Sequence, residues 1–415
     1  MRKNLIFLFS FSLAKGIVFL APLLLADILT GKDFGVLEYS LAGIGMLLNA
    51  VMNLGVQGAY PYFIIRKKMA KLKNGFSLHP LWLTLFFIGN QILYFSFEPY
   101  GLEIYLAINI SYIIANQMFF STKLKSHSNI FRAVFLDAGI YILLLFFIIG
   151  YYLKFITPSI SNISVSLFFY GCVFVVNAVY RFIRESKKTI FNHYKKILKF
   201  SIHLLISSLF LFLLTVSGRI LSKHFFGFEA TGIYGFYYRL SAIVVMIYQV
   251  ISIRYFKELY TKKPKILDHY FSLFYFFIFF LSIIIYFIYP YLLPSFSEYF
   301  VNTYPNNKVL FFVIFCQMTF WIASALQSNI VDREGLSKVN NLYFLGLFIL
   351  SILMLYLYRD YLTLLSLTFI LYSLFFIANI TQFLALRTKK IIFKKSFFSL
   401  TFVYITSCIL LILMY

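Results

Sequence analysis

Apolar residues fill this chain in long stretches of about 17 to 25 residues, which short polar breaks separate from one end to the other. A bilayer core about 30 Å thick is crossed by a helix of about 20 apolar residues. The pattern therefore predicts thirteen membrane-spanning helices. They lie at residues 5–26, 36–58, 80–97, 102–121, 133–153, 163–182, 201–222, 232–254, 270–289, 308–330, 341–357, 361–386 and 397–415.

The composition agrees with an all-α polytopic membrane protein. Hydrophobic residues make up 61% of the chain and charged residues 12%, whereas soluble domains carry about 25% charged residues. Backbone groups in hydrocarbon must be paired within the segment. These segments are too long and too uniformly apolar to be the alternating strands of an outer-membrane barrel.

The basic residues fall in every second break. The N-terminal segment and the even-numbered breaks hold 29 of the 37 Lys and Arg residues, in a chain of net charge +23. Basic residues resist translocation, so the N-terminus is expected in the cytoplasm and the protein in the bacterial inner membrane. A nucleic-acid partner is not expected, because the bases are scattered over short interhelical loops; anionic membrane lipids are the partners they suit.

The longest basic break follows the sixth span and divides the chain into two halves. We predict an N-terminal six-helix lobe at 1–183, a basic cytoplasmic linker at 184–200 and a C-terminal six-helix lobe at 201–386. The basic loop and apolar segment at 387–415 form either a thirteenth span or an interfacial helix. Gly31 and Gly227, in similar surroundings about 196 residues apart, suggest an internal duplication of the kind found in transporters.

Three cations lie more than two residues from either end of a predicted span. A charge at the centre of a span costs about 2.5–3.5 kcal/mol on insertion scales. Lys15 is about ten residues, or about 15 Å, into the first span, which favours a water-filled cavity over a structural ion pair. Arg239 lies among tyrosines that suit a sugar or a phosphate, although it could also extend to the interface. Arg219, close to the outer end of its span, is expected to extend to the interface.

Polar uncharged residues recur at helical spacing within several spans. Asn49, Asn53 and Gln57 share one face of span two and either contact a neighbouring helix or line a lumen. Similar spacings at Asn109 and Asn116 and at Gln317, Ser324 and Ser328 favour a shared polar cavity. Asp137 is expected to be the only carboxylate well inside a span, and it is the candidate for ion coupling and for pairing with Lys15.

Motifs of catalysis and nucleotide binding are absent from the sequence. It has no GK[ST] phosphate loop, no HExxH and no CxxC, so we expect neither a cofactor nor a metal, and no enzymatic activity.

The run LTGKDFGVLEYSLAGIGMLLNAVMNLGVQGAYPYF, behind a Lys-bearing first span, resembles the bacterial O-antigen and capsule flippases of the multidrug/oligosaccharidyl-lipid/polysaccharide transporter superfamily. The family's loop L-G-x-x-x-(F/Y)-G corresponds to Leu29 through Gly35, with Thr30 before Gly31, and its L-G-(L/V) corresponds to Leu54-Gly55-Val56. The second-half segment SGRILSKHFFGFEATGIYGFYYRL is also similar. The thirteenth segment lies outside the family's twelve-helix core.

This resemblance implies twelve core helices in two six-helix lobes around a central cavity that opens to either side in turn. The implied substrate is an oligosaccharide on undecaprenyl pyrophosphate, flipped from the cytoplasmic to the periplasmic leaflet, with a polysaccharide polymerase and a chain-length regulator as further partners. The resemblance further implies that Lys15, Arg239 and Arg219 line a cationic cavity. Two rivals are a polymerase of the same pathway, disfavoured by the short outer loops, and a drug/cation antiporter, disfavoured by buried cations.

Overall fold

The computed structural model describes residues 2–97, 100–127, 129–185, 189–254, 259 and 262–414, and every regular element within them is helical. The α-helices are α1 (Arg2–Ile28), α2 (Gly31–Glu38), α3 (Ile44–Asn53), α4 (Val56–Pro61), α5 (Leu78–Phe97), α6 (Leu102–Ser126), α7 (Ile130–Asp137), α8 (Gly139–Tyr152), α9 (Ile160–Glu185), α10 (Ile190–Ser241), α11 (Ile243–Arg254), α12 (Pro264–Leu292), α13 (Glu298–Arg333), α14 (Ser337–Leu357), α15 (Leu364–Arg387) and α16 (Lys394–Met414). Tyr39–Gly43 and Tyr62–Arg66 are π-helical, and Ala70–Ser77, Leu293–Ser295 and Arg359–Tyr361 are 3-10 helical.

Ten helical stretches of the described chain are long and apolar enough to cross a bilayer, and two bent helix pairs raise the number to twelve. Apolar side chains are exposed along their outer faces, where lipid is their natural solvent. The prediction of an all-α polytopic membrane protein is therefore confirmed.

Predicted spans seven and eight both fall on α10 and α11. The described residues of this region include the bent pair Phe212–Ser241 with Ile243–Gln249. Gly227 interrupts α10 with a φ of 84° and a ψ of −172°. Its suggested counterpart Gly31 instead begins α2 directly after the N-cap Thr30, so the two glycines play different structural parts.

Predicted span two is not one continuous α-helix. It starts as α2, passes through the π-helical turn Tyr39–Gly43 and continues as α3 to Asn53. Leu54 and Gly55 then adopt left-handed conformations, with φ of 49° and 68°, and α4 begins after them. A left-handed pair cannot continue an α-helix, so a face predicted across this point is broken.

The chain forms two compact units, unit 1 (Met1–Lys223) and unit 2 (His224–Tyr415). Unit 1 extends past the predicted linker at 184–200, because the end of span seven contacts span two. Arg219 pairs with Glu38, and Lys223 Nζ lies 5.6 Å from the centre of the Tyr39 ring.

The predicted linker at 184–200 is in part a docked helix rather than a free connection. Residues 186–188, with the predicted bases Lys187 and Lys188, lie outside the described residues. From Ile190 onward the chain is the first part of α10, where His193 Nδ1 lies 2.6 Å from Asn74 Oδ1. Phe200 stacks on Tyr62 with ring centres 4.2 Å apart.

Each unit is built around one buried helix. In unit 1 this is α6, which packs against α3, α5, α7 and α9. In unit 2 it is α13, which packs chiefly against α15 and α12. Most residues of both helices are buried, and these include amides such as Asn109 and Gln317.

The C-terminal segment at 387–415 contains a candidate span, α16, which packs against α12 within unit 2. The Asp268 carboxylate accepts hydrogen bonds from the backbone N–H groups of Lys395 at 3.0 Å and Ser396 at 2.7 Å. These donors in the first turn of α16 have no partner within the helix. A carboxylate from α12 therefore caps α16 from outside.

Candidate functional site

A deeply buried ion pair joins Glu38 and Arg219. Arg219 Nε lies 3.0 Å from Glu38 Oε2, and the two side chains are 5% and 0% exposed. Taking both charges out of water is costly, so such a pair persists only when each charge compensates the other. Glu38 and Arg219 together form a neutral, water-excluded contact inside a membrane protein.

Local sequence positions both partners. The Thr30 hydroxyl accepts a hydrogen bond from Asp33 N at 3.1 Å and so starts α2, which brings Glu38 to its end. The π-helical turn Tyr39–Gly43 follows at once; such turns occur frequently at functional sites. A Cβ at Gly43 would lie 3.3 Å from Arg219 Cβ, so the glycine leaves room for the arginine stem.

The sequence prediction for this region was wrong on two points. Arg219 does not extend to the interface, because its guanidinium is buried against Glu38. Asp137 is not the only carboxylate inside a candidate span, because Glu38 lies within Gly31–Asn53 and is buried there. Glu38 went unnoticed since it lies near the predicted start of span two at 36. The sequence signal that could have predicted this ion pair is the presence of an acid and a base that each lie inside an apolar stretch.

Lys15 lies on α1 in unit 1 and is half-buried. Its ammonium nitrogen is 5.7 Å from the centre of the Phe11 ring. The neighbouring Ala14 packs against Val134 and Ala138, so α1 is held at this level against α7 and α8. The side chain of Lys15 thus sits beside the bend between those two helices, which measures 57°.

Asp137 forms its ion pair with Lys125, at 2.6 Å, and not with Lys15. The Asp137 side chain is 37% exposed and that of Lys125 is 50% exposed. Lys125 comes from the predicted break between spans four and five. The prediction that Asp137 lies deep in its span and pairs with Lys15 is therefore wrong.

Arg239 belongs to unit 2 and is 9% exposed, near the end of α10. Tyr234 and Tyr237, on the same helix, are also buried. The Tyr237 hydroxyl lies 2.8 Å from Thr303 Oγ1, which ties this part of α10 to α13. Arg239 therefore does not extend to the interface in this conformation, and a cation is present within the membrane-spanning part of each unit.

Two of the three amides predicted on span two form a buried hydrogen-bonded chain. Asn53 Nδ2 donates to Asn49 Oδ1 at 2.7 Å. His79 Nε2 lies 3.5 Å from Asn53 Oδ1, and His79 Nδ1 lies 3.0 Å from the Tyr194 hydroxyl. Gln57 is separated from this chain by the left-handed break and belongs to α4. The predicted single face of three amides is therefore wrong for Gln57.

Some members of the other polar stripes also form hydrogen bonds between helices, whereas Asn116 donates to Tyr112 O of its own helix. Asn109 Oδ1 accepts from Asn90 Nδ2 at 2.9 Å and from Gln91 Nε2 at 2.8 Å, which joins α6 to α5. In unit 2, Gln382 Nε2 donates to the Ser324 carbonyl at 3.1 Å and to Ser328 Oγ at 2.9 Å. These contacts match the helix-packing alternative, in which polar side chains join helices within hydrocarbon.

The fold and its buried charges define a multi-pass α-helical membrane protein with an ion pair and further cations inside its spans. No protein-family model, curated protein or solved structure matches the chain.

Proposed function

We propose that this protein is a flippase of the bacterial inner membrane, with its N-terminus in the cytoplasm. It moves oligosaccharide repeat units, linked to undecaprenyl pyrophosphate, from the cytoplasmic to the periplasmic leaflet by alternating access. The product feeds O-antigen or capsule assembly, where a polymerase and a chain-length regulator act next. A charged headgroup cannot cross hydrocarbon unaided, and such a protein must therefore offer it polar, cationic surroundings inside the bilayer.

The observation that carries this proposal is the contact between the two segments that resemble the flippase family. Glu38 lies in the first of these segments and Arg219 in the second, and the two form the buried ion pair. Lys223 and Tyr39, four and one residues further along the same segments, also lie close together. Segments that are far apart in sequence and resemble one family thus form one contact.

The buried ion pair changes the part assigned to Arg219. Its charge is compensated by Glu38, so we assign it to holding span seven against span two rather than to binding the headgroup. Lys15 and Arg239 remain the proposed cations for the pyrophosphate. Asn49 and Asn53 are assigned to helix packing, because their amides are used within unit 1. Ion coupling through Asp137 stays a prediction.

The deciding experiment measures surface glycan in a strain deleted for this gene and the membrane side on which carrier-linked repeat units accumulate. Single repeat units trapped in the cytoplasmic leaflet support the flippase. Single units that reach the periplasmic face without polymerising point to the polymerase instead, and an unchanged surface glycan contradicts both.

Complementation then tests the two cations. Lys15→Ala and Arg239→Ala are expected to reach the membrane at normal abundance and to lower glycan export strongly. Lys32→Ala is the matched control, because Lys32 is an exposed base of a predicted outer break. Full export by both cavity variants would overturn their assignment while leaving the deletion result intact.

A further inference from the structure

Unit 1 contains a cavity of about 460 Å³ that the flippase proposal does not use. It lies where α6 ends, where α7 begins and beside the last part of α9, next to the 3-10 helix Ala70–Ser77. Its volume is within the range of about 300–1,000 Å³ found for small-molecule sites. The polar residues that line the cavity lie in the predicted basic breaks and in the adjoining parts of the helices.

The cavity wall is cationic. Lys73, Lys123 and Arg181 line it together with His127, and its described lining residues include no Asp or Glu. The nearest acid in sequence, Asp137, follows the lining residue Leu136 and is engaged by Lys125. The cavity is thus suited to a group with more than one negative oxygen.

Arg181 is held in place at this wall. Its Nε donates to Asn177 Oδ1 at 2.9 Å, and its guanidinium carbon lies 4.9 Å from the centre of the Phe120 ring. Lys123 Nζ lies 5.8 Å from the adjacent Phe119 ring. A guanidinium fixed by an amide and an aromatic face loses little further side-chain entropy when it binds a phosphate.

The surroundings of the cavity indicate that the phosphate belongs to a lipid. Phe120, Leu124 and Phe174 give it an apolar floor. On the helices that border it, Phe131 is 54% exposed and Val176 69% exposed, as expected for side chains that face acyl chains. Polar walls beside a lipid-facing surface match a headgroup at the interface with its tails alongside α7 and α9.

We propose that this cavity, lined by Lys73, Lys123, His127 and Arg181, binds the phosphate of an anionic phospholipid headgroup. The site lies within unit 1 and does not depend on glycan transport. Its role is to hold one lipid at the junction of α6, α7 and α9, next to the bend at Ala138.

The test is native mass spectrometry of the purified full chain in a non-ionic detergent, titrated with short-chain phosphatidylglycerol. Short-chain phosphatidylcholine is the zwitterionic comparison, and inorganic phosphate is the comparison without lipid. We expect saturable binding of phosphatidylglycerol, weakened about tenfold by R181Q and about fivefold by K123Q, since each removed cation contributes a charge-assisted contact. The double variant K195Q/K196Q removes two exposed bases of the first part of α10, which do not line the cavity, and is expected to leave the affinity unchanged.

Equal affinities of the wild type, R181Q and K123Q would overturn the site, as would an equal loss in K195Q/K196Q. Displacement of phosphatidylglycerol by inorganic phosphate at matching concentration would overturn the lipid source. Helicity and elution volume of each variant are compared with those of the wild type. R181K, which keeps the charge and loses the planar fork, is expected to fall between wild type and R181Q. Because no glycan is involved, these outcomes are independent of the export experiment.

Discussion

The ion pair between Glu38 and Arg219 permits a quantitative prediction. At the observed separation of 3.0 Å, two unit charges attract each other by about 5.5 kcal/mol at an effective dielectric constant of about 20. Because both side chains are almost fully buried, desolvation offsets most of this attraction in the intact pair. Removing one partner takes away an opposite charge at 3.0 Å from a buried charge, so Glu38→Gln or Arg219→Gln is expected to cost about 3–5 kcal/mol.

The two single variants and the double variant E38Q/R219Q form a double-mutant cycle. The double variant buries no net charge, so its cost is expected to fall short of the sum of the single costs by about 1–3 kcal/mol. The free energy of unfolding is measured by reversible SDS titration of the purified protein in mixed micelles, with helical circular dichroism as the signal.

The matched control is the exposed pair Arg359 and Asp360, at 3.1 Å with side chains 60% and 80% exposed. R359Q/D360N is expected to change the free energy of unfolding by less than about 0.5 kcal/mol, because exposed pairs are solvated and screened. Additive single effects at Glu38 and Arg219, or single costs no larger than this control, would refute the reasoning from burial.

Three further predictions concern backbone and hydrogen bonds. Gly227→Ala is expected to lower the free energy of unfolding by about 1–2 kcal/mol, since φ is +84° there. Gly346→Ala, in a helix with open space around the added Cβ, should not destabilise the protein. Thermal unfolding compares the two variants. Asp268→Asn leaves one of the two backbone N–H donors of α16 without a good acceptor, which is expected to lower the free energy of unfolding by about 1–3 kcal/mol. Backbone hydrogen exchange at 394–397 should become faster, and unchanged exchange would count against the cap. Tyr194→Phe removes the hydroxyl 3.0 Å from the buried His79 imidazole and is expected to lower the free energy of unfolding by about 1–2 kcal/mol, and with it the melting temperature. Tyr361→Phe, at a residue that is 83% exposed, should leave the melting temperature unchanged.

The amide residues show what a sequence pattern can predict and what it cannot. Helical spacing correctly grouped Asn49 with Asn53 on one face, because that spacing is a local property of an α-helix. It could not foresee that Leu54 would adopt a left-handed conformation and separate Gln57 from them. Nor could it choose between a lumen and a neighbouring helix, because that depends on which helices meet.

Arg219 shows the same division for a charged residue. Its position near the end of an apolar stretch is compatible with an interfacial arginine, and the insertion cost alone requires only that the charge be compensated. The compensating carboxylate lies 181 residues away, beyond any local pattern. Lys15 and Asp137 were paired by elimination, and the structure instead pairs Asp137 with Lys125.

The sequence by itself determined the class of protein and nearly every membrane-spanning segment. Both follow from the length of apolar stretches against the bilayer thickness and from the need to pair every backbone group in hydrocarbon. Only the tertiary structure decided which charges and amides meet, where helices break and which segments share a unit. Those choices depend on the contacts between helix faces, and side chains far apart in the chain determine them.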